Sequence, residues 1–199
     1  MNNTKRYRWN AIADRMPVDT PIYGAEIGVW RGQMSARLLR TIPMLKLVMV
    51  DWWQAPPAGH SYFDGSIKIA RLTNEQLQTA FMETVERVQP FIGRYDIKRC
   101  ESGVAAAEFD DHIFDFVFLD GDHSFDGVMR DLHSWYRTVK PGGYICGHDW
   151  DHPEQGQVKA AVEQFFANQR IDIELDVNRT WFVQIKEEED EKNDSKLSG

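Results

Sequence analysis

The sequence predicts an α/β fold built on a parallel sheet that ends in an antiparallel hairpin, and three observations predict it. Tyr23 to Trp53 reads as strand, glycine turn, helix, strand, an order that needs a crossover and therefore parallel strands. Phe116 to Leu119 is an unbroken apolar run entering an acidic, glycine-bearing turn, the pattern of a strand buried on both faces. The runs 172–177 and 180–185 are separated by Asn178 and Arg179 alone, the spacing of a tight hairpin.

The elements follow in order. Trp9, Ile12, Ala13 and Met16 recur at helical spacing until Pro17 stops them, giving a leading helix within residues 1–20. The strand at 23–30 carries Glu26 and Gly28 near its end, with Gly32 four residues beyond Gly28, and residues 35–42 form a helix that buries Leu38, Leu39 and Ile42. Residues 45–53 form a central strand capped by Asp51, Trp52 and Trp53. The stretch 54–73, with Pro56, Pro57, Gly59 and Gly65, is too long for a simple connection and reads as a lid, the other reading being an unstructured insert. Thr73 to Gln76 matches a capping box for a helix with Leu77, Phe81, Val85 and Val88 on one face, ended by Pro90 and Gly93.

A strand at 95–100 then reaches Glu101 and Ser102, and a short alanine-rich helix leads to the buried strand at 116–119. Val128, Leu132, Trp135 and Val139 mark the next helix, KPGG at 140–143 the turn out of it, and 144–150 a strand with His148 and Asp149 at its end. Val158, Val162, Phe165 and Phe166 line the last helix before the hairpin.

At 199 residues and 42% hydrophobic content, one domain over 1–186 is expected. The net charge is −8, and residues 187–199 hold six acids against two lysines, a solvated, disordered tail that leaves a mildly acidic body. Such a body argues against an extensive nucleic-acid surface. Cys100 and Cys146 stand apart without metal or disulfide spacing, and no run approaches membrane-spanning length, so a cytoplasmic protein with no membrane association is expected.

In open parallel sheets, ligands bind beyond the carboxyl ends of the strands, which delivers Asp120, Asp122 and His123 into one cleft. The pattern ExGxxxG at 26–32, with Asp51 ending the following strand, follows adenosine-binding logic: the glycines let a ligand approach the backbone, and the acid accepts ribose hydroxyls. A GxGxxG pyrophosphate cradle is missing, which speaks against a dinucleotide and so against a dehydrogenase. Taken alone, the same glycines also fit a plain tight turn.

Beyond these patterns, EIGVWRG, VDWW and the stretch FDFVFLDGDHSFDGVMRDLHSWYRTVKPGGYICGHDW together resemble the class I S-adenosylmethionine-dependent methyltransferases, in particular the small O-methyltransferase-like branch of macrocin O-methyltransferase and cephalosporin-hydroxylase-like relatives. The resemblance implies a Rossmann-like, doubly wound, seven-stranded sheet with helices on both faces, the cofactor S-adenosylmethionine and a small-molecule acceptor, and it leaves room for a homodimer. It implies that Glu26 and Gly28 line the methionine end of the cofactor, with Gly32 and Ser35 near its carboxylate. Asp51 would bind the ribose with Trp52 beside it, Glu101 and Ser102 would approach the adenine, and Asp120 would sit near the sulfonium.

Metal-dependent relatives place ligands where Asp120, His148 and Asp149 stand, so the resemblance implies a site for Mg²⁺ or Mn²⁺, with Zn²⁺ also tolerated by the imidazole. His148 departs from the carboxylate or amide of those relatives, and the other reading is that His148 and Asp149 only cap a strand. His123, three residues after Asp120, is the candidate general base, since an imidazole titrates near operating pH; the alternative is that it anchors its loop. The function expected is O-methylation of a hydroxyl on a small molecule or sugar with divalent-metal help, set against a cofactor-binding module that performs no transfer. His112, His133 and His152 match no motif, Trp135 reads as core, Trp150 as a wall of the acceptor site, and Lys5, Arg6 and Arg8 as a solvated basic end.

Overall fold

A computed structural model of the chain describes residues 6–55, 72–153, 157–169 and 171–186. Helix α1 (Arg8–Ala13) precedes β1 (Ile22–Ile27), α2 (Gln33–Thr41) and β2 (Leu45–Val50). After the segment 56–71 come α3 (Asn74–Val88), β3 (Tyr95–Lys98), α4 (Ser102–Ala106) and β4 (Phe114–Leu119). Then follow α5 (Phe125–Trp135), β5 (Val139–Gly147), α6 (Gln157–Phe166), β6 (Glu174–Asp176) and β7 (Thr180–Gln184). The expected lid falls almost wholly on 56–71, and the expected tail on 187–199; both lie outside the described residues.

The strands make one seven-stranded sheet in the order β3-β2-β1-β4-β5-β7-β6, parallel throughout except that β7 runs antiparallel to both β5 and β6. Apolar strands explain the burial: each β1, β2 and β4 side chain from the third position onward is buried, because helices cover both faces. On one face α4, α5 and α6 pack Ala105, Leu132, Trp135, Val162 and Phe166 against Val48, Val117 and Ile145. On the other, α1, α2 and α3 pack Ile12, Leu38, Leu39 and Ala80 against Leu47, Phe116 and Phe118. Among the described residues no helix is long and apolar enough to cross a membrane.

Local chemistry sets the boundaries. Thr73 and Gln76 close a reciprocal capping box at α3, and Ser124 Oγ accepts the Gly127 N–H at the start of α5. In the hairpin, Asn178 and Arg179 both take positive φ (55° and 58°), as a turn matching strand twist requires. Two expectations need correction. KPGG is not a turn but part of β5, which absorbs its glycines through a register shift against β4 at Phe114/Phe116. Val139 therefore begins that strand rather than extending the helical stripe, since α5 ends at Trp135 and a 3-10 turn (Tyr136–Thr138) intervenes.

The connections leave β1 and β4 in opposite directions along the sheet, β1 toward β2 and β4 toward β5. This is the switch point at which open α/β sheets hold their ligands.

Candidate functional site

Gly28 follows β1 and Asp120 follows β4, and the two turns touch. A Cβ on Gly28 would lie 2.2 Å from the Asp120 carbonyl oxygen, and its φ is +88°, so only glycine fits. From this contact a cavity of about 630 Å³ opens beyond the strand ends, bounded by Gly28, Asp51, Trp52, Glu101, Ser102 and Asp120. Its volume lies in the range of small-molecule and cofactor sites.

Asp51 fixes one wall. Its Oδ2 accepts the Trp30 N–H at 2.8 Å and its Oδ1 the Trp53 N–H at 2.9 Å, so one carboxylate staples the loop after β1 to the loop after β2. Burial raises its pKa while these backbone N–H groups oppose the rise. Trp30 and Trp53 sit at positive φ (56° and 42°), joined by a bond from Trp53 Nε1 to the Trp30 carbonyl at 2.6 Å. Non-glycine residues in this region cost energy that the surrounding bonds must offset.

The far wall comes from α4 and α5. Trp135 Nε1 donates to Ser102 Oγ at 2.9 Å, and Ser102 in turn bonds Asp131, whose carboxyl burial pushes up to about 7. Asp131, Met129, Arg130 and His133 also line the cavity. Sequence reasoning missed the contribution of α5. The signal was present in Asp131, an acid directly before the core-facing Leu132 and one turn ahead of the buried Trp135, where a carboxyl must find a partner.

Glu26, Gly32 and Ser35 lie outside this lining. Glu26 is buried, accepts the Ser35 hydroxyl at 2.6 Å and has its carboxyl pushed up to about 8 by burial, with the Ser35 bond and the charge of Arg8 opposing. Gly32, at φ +69°, starts α2 against Thr84.

A second group adjoins the cavity through Asp120. His123 Nε2 stands 3.4 Å from Asp120 Oδ1, and His123 Nδ1 stands 3.4 Å from Asp149 Oδ2. His148 Nδ1 lies 2.9 Å from Asp149 Oδ1 and 3.7 Å from Asp120 Oδ1. Burial opposes ionisation of Asp149, yet the His148 bond and the charges of His148, His123 and His152 hold it below the usual carboxylate range. Among the described residues, the donors that close to within 4.8 Å of one another are Asp120, His123 and Asp149. The fold thus brings Asp120, His123, His148 and Asp149 together, and of these four Asp120 alone lines the cavity.

Arg8 is not part of a solvated end: its Nη1 pairs with Asp120 Oδ2 at 3.0 Å. Trp135 is core, as expected. Trp150 is also core, its N–H bonded to the Arg179 carbonyl at 3.1 Å, and does not line the cavity.

A family profile described as a methyltransferase domain matches residues 25–150, which span β1 to the loop after β5. An uncharacterized protein, R132, of Acanthamoeba polyphaga mimivirus is 38% identical over 55 residues, 27% of this chain and 25% of that protein, so the chain matches only a quarter of this relative's length. The O-methyltransferase NovP superposes with a TM-score of 0.65 at 18% identity, covering 90% of this chain and 80% of that one. A putative caffeoyl-CoA O-methyltransferase from Staphylococcus aureus gives 0.64 at 11% identity, covering 92% and 85%. TomG from Streptomyces achromogenes, an O-methyltransferase solved with S-adenosylmethionine, gives 0.59 at 14% identity, covering 90% and 78%. At these identities the likeness is one of fold.

Proposed function

The chain belongs to the methyltransferase domain family, and from that premise we propose that it uses S-adenosylmethionine to methylate a hydroxyl of a small molecule or sugar. The cofactor, when bound, supplies an electrophilic methyl group on a sulfonium. The cavity supports the fit, since it brings together the residues such a ligand needs. Asp51 accepts the ribose hydroxyls with the lone pairs its backbone donors leave. Glu101 and Ser102, backed by Asp131, meet the adenine, and Gly28 and Asp120 bound the methionine end. The O-methyltransferases among the structural neighbours support oxygen as the acceptor atom.

The observation that carries the reading is the His123 imidazole held between two carboxylates at 3.4 Å each, one of which lines the cavity. His123 takes the proton of the acceptor hydroxyl, and Asp149 orients the ring and favours the imidazolium that results. A second reading rests on the close approach of Asp120, His123 and Asp149, which suits a divalent ion: two carboxylate oxygens favour Mg²⁺ or Mn²⁺, and the imidazole tolerates Zn²⁺. When bound, such an ion lowers the pKa of an acceptor hydroxyl. One imidazole does not serve both roles, so the readings separate in one assay.

Methyl transfer from labelled S-adenosylmethionine to a panel of catechols, phenols and nucleotide sugars tests them, after chelation and with each metal restored. Activity that survives chelation and is lost in His123→Gln supports the base, and activity that requires Mg²⁺ or Mn²⁺ supports the metal. Cofactor binding without transfer to any acceptor would favour a binding module.

A further inference from the structure

Beside the loop after β4 lies a second, much smaller cavity of about 10 Å³, bounded by Leu119, Val128, Val158 and the indole of Trp181. Asp122, His123, Asp131 and His148 border it as well, so its wall is polar on the side of the histidine group. The space suits a single water, and internal cavities stay dry where their walls are apolar, which these are not. Trp181, on β7, pairs with Gly147 at the end of β5, and a Cβ on Gly147 would lie 2.6 Å from the indole ring. Glycine therefore lets the indole lie across the strand directly ahead of His148. The indole is 1% exposed, and its Nε1, a group that can only donate, meets no hydrogen-bond partner among the described residues. Buried donors of native proteins are paired with protein or with ordered water.

We propose that the small cavity binds one ordered water, which accepts the Trp181 Nε1 hydrogen and donates to Nε2 of His148, making Trp181 a positioning residue for the histidine group. The assignment follows from which lone pairs remain. Asp122 spends one oxygen on the Ser124 N–H at 2.9 Å and the other on Arg130 at 3.1 Å. Both ring nitrogens of His123 face carboxylate oxygens at 3.4 Å. His148 Nδ1 lies 2.9 Å from Asp149 Oδ1, and since a carboxylate only accepts, Nδ1 carries the hydrogen and the neutral ring presents Nε2 as an acceptor. Asp131, bonded to Ser102, keeps lone pairs for the second hydrogen of the water. One donor and two acceptors make three bonds, the usual number for a buried water. The water joins β7 to the ring that abuts Asp149, and through Asp149 to His123, whatever the larger cavity binds.

The test is NMR of the full-length protein labelled with ¹⁵N at tryptophan and histidine, as wild type and as Val158→Ile. That substitution adds one methylene at the cavity wall and alters no polar side chain, and the probe is solvent water itself. In wild type the Trp181 indole hydrogen should show a rotating-frame Overhauser peak to water, opposite in sign to chemical exchange. In Val158→Ile this peak should be lost, and the His148 Nε2 resonance should shift as its lone pair loses a hydrogen bond; an indole that merely packs would leave that resonance unmoved. Absence of the peak in wild type would overturn the proposal without recourse to the variant. A peak that survives Val158→Ile would overturn the location, and an unmoved Nε2 would overturn the link to His148.

Discussion

Glu26 offers a prediction whose magnitude follows from its burial. Its carboxyl, ordinarily near 4.5, is pushed up to about 8, so in the folded protein it stays protonated through neutral pH while in the unfolded chain it ionises. Between those two values the folded state binds the extra proton, so raising the pH favours unfolding. The stability this group contributes is fully present below about 4.5 and is lost progressively as pH rises toward 8. Glu26→Gln keeps the size of the side chain and an oxygen to accept the Ser35 hydroxyl, but removes the titration. The gain of the variant over wild type should therefore grow by about 1.4 kcal/mol per pH unit, or about 2 to 3 kcal/mol between pH 5.5 and 7.5. Urea unfolding followed by tryptophan fluorescence at several pH values measures it. A difference between the two proteins that stays flat across this range would refute the assignment of a neutral Glu26.

Further outcomes follow from the same geometry. His123→Gln should abolish methyl transfer while cofactor affinity, read by calorimetry, stays within a few-fold. Asp149→Ala should abolish transfer under either reading of the site, and loss of the heat of Mn²⁺ binding in that variant would assign the metal to it. Gly28→Ala places a Cβ 2.2 Å from the Asp120 carbonyl oxygen at a backbone angle that L-residues avoid, so it should cost at least about 2 kcal/mol in thermal unfolding and weaken the cofactor. Asp131→Asn should flatten the fall in stability between about pH 5 and 7, since the Asp131 carboxyl, like that of Glu26, is raised by burial and favours the folded state only at lower pH.

The parts of this fold that could be read from the sequence are those where one local rule acts without competition. The apolar run of β4, the capping box of α3 and the Asn178-Arg179 turn each specify their element directly, and each stands as expected. KPGG misled because glycine and proline mark turns only when no neighbouring strand recruits them; here β4 and β7 flank β5 and draw the segment into the sheet. At the site, acids and glycines at strand ends could be placed because strand direction alone puts them together. What could not be placed was anything decided by helix docking. Arg8 lies 112 positions before Asp120, and only the packing of α1 on α2 and the hairpin brings the two together.

The most direct measurement is titration of purified, chelator-treated protein with S-adenosylmethionine, with NAD as the comparison ligand. Saturable one-to-one binding of S-adenosylmethionine is expected, displaced by S-adenosylhomocysteine and weakened in Asp51→Ala by the ~1.5 to 3 kcal/mol of a charge-assisted contact. Binding of NAD in its place, or no heat with S-adenosylmethionine at any concentration, would contradict it.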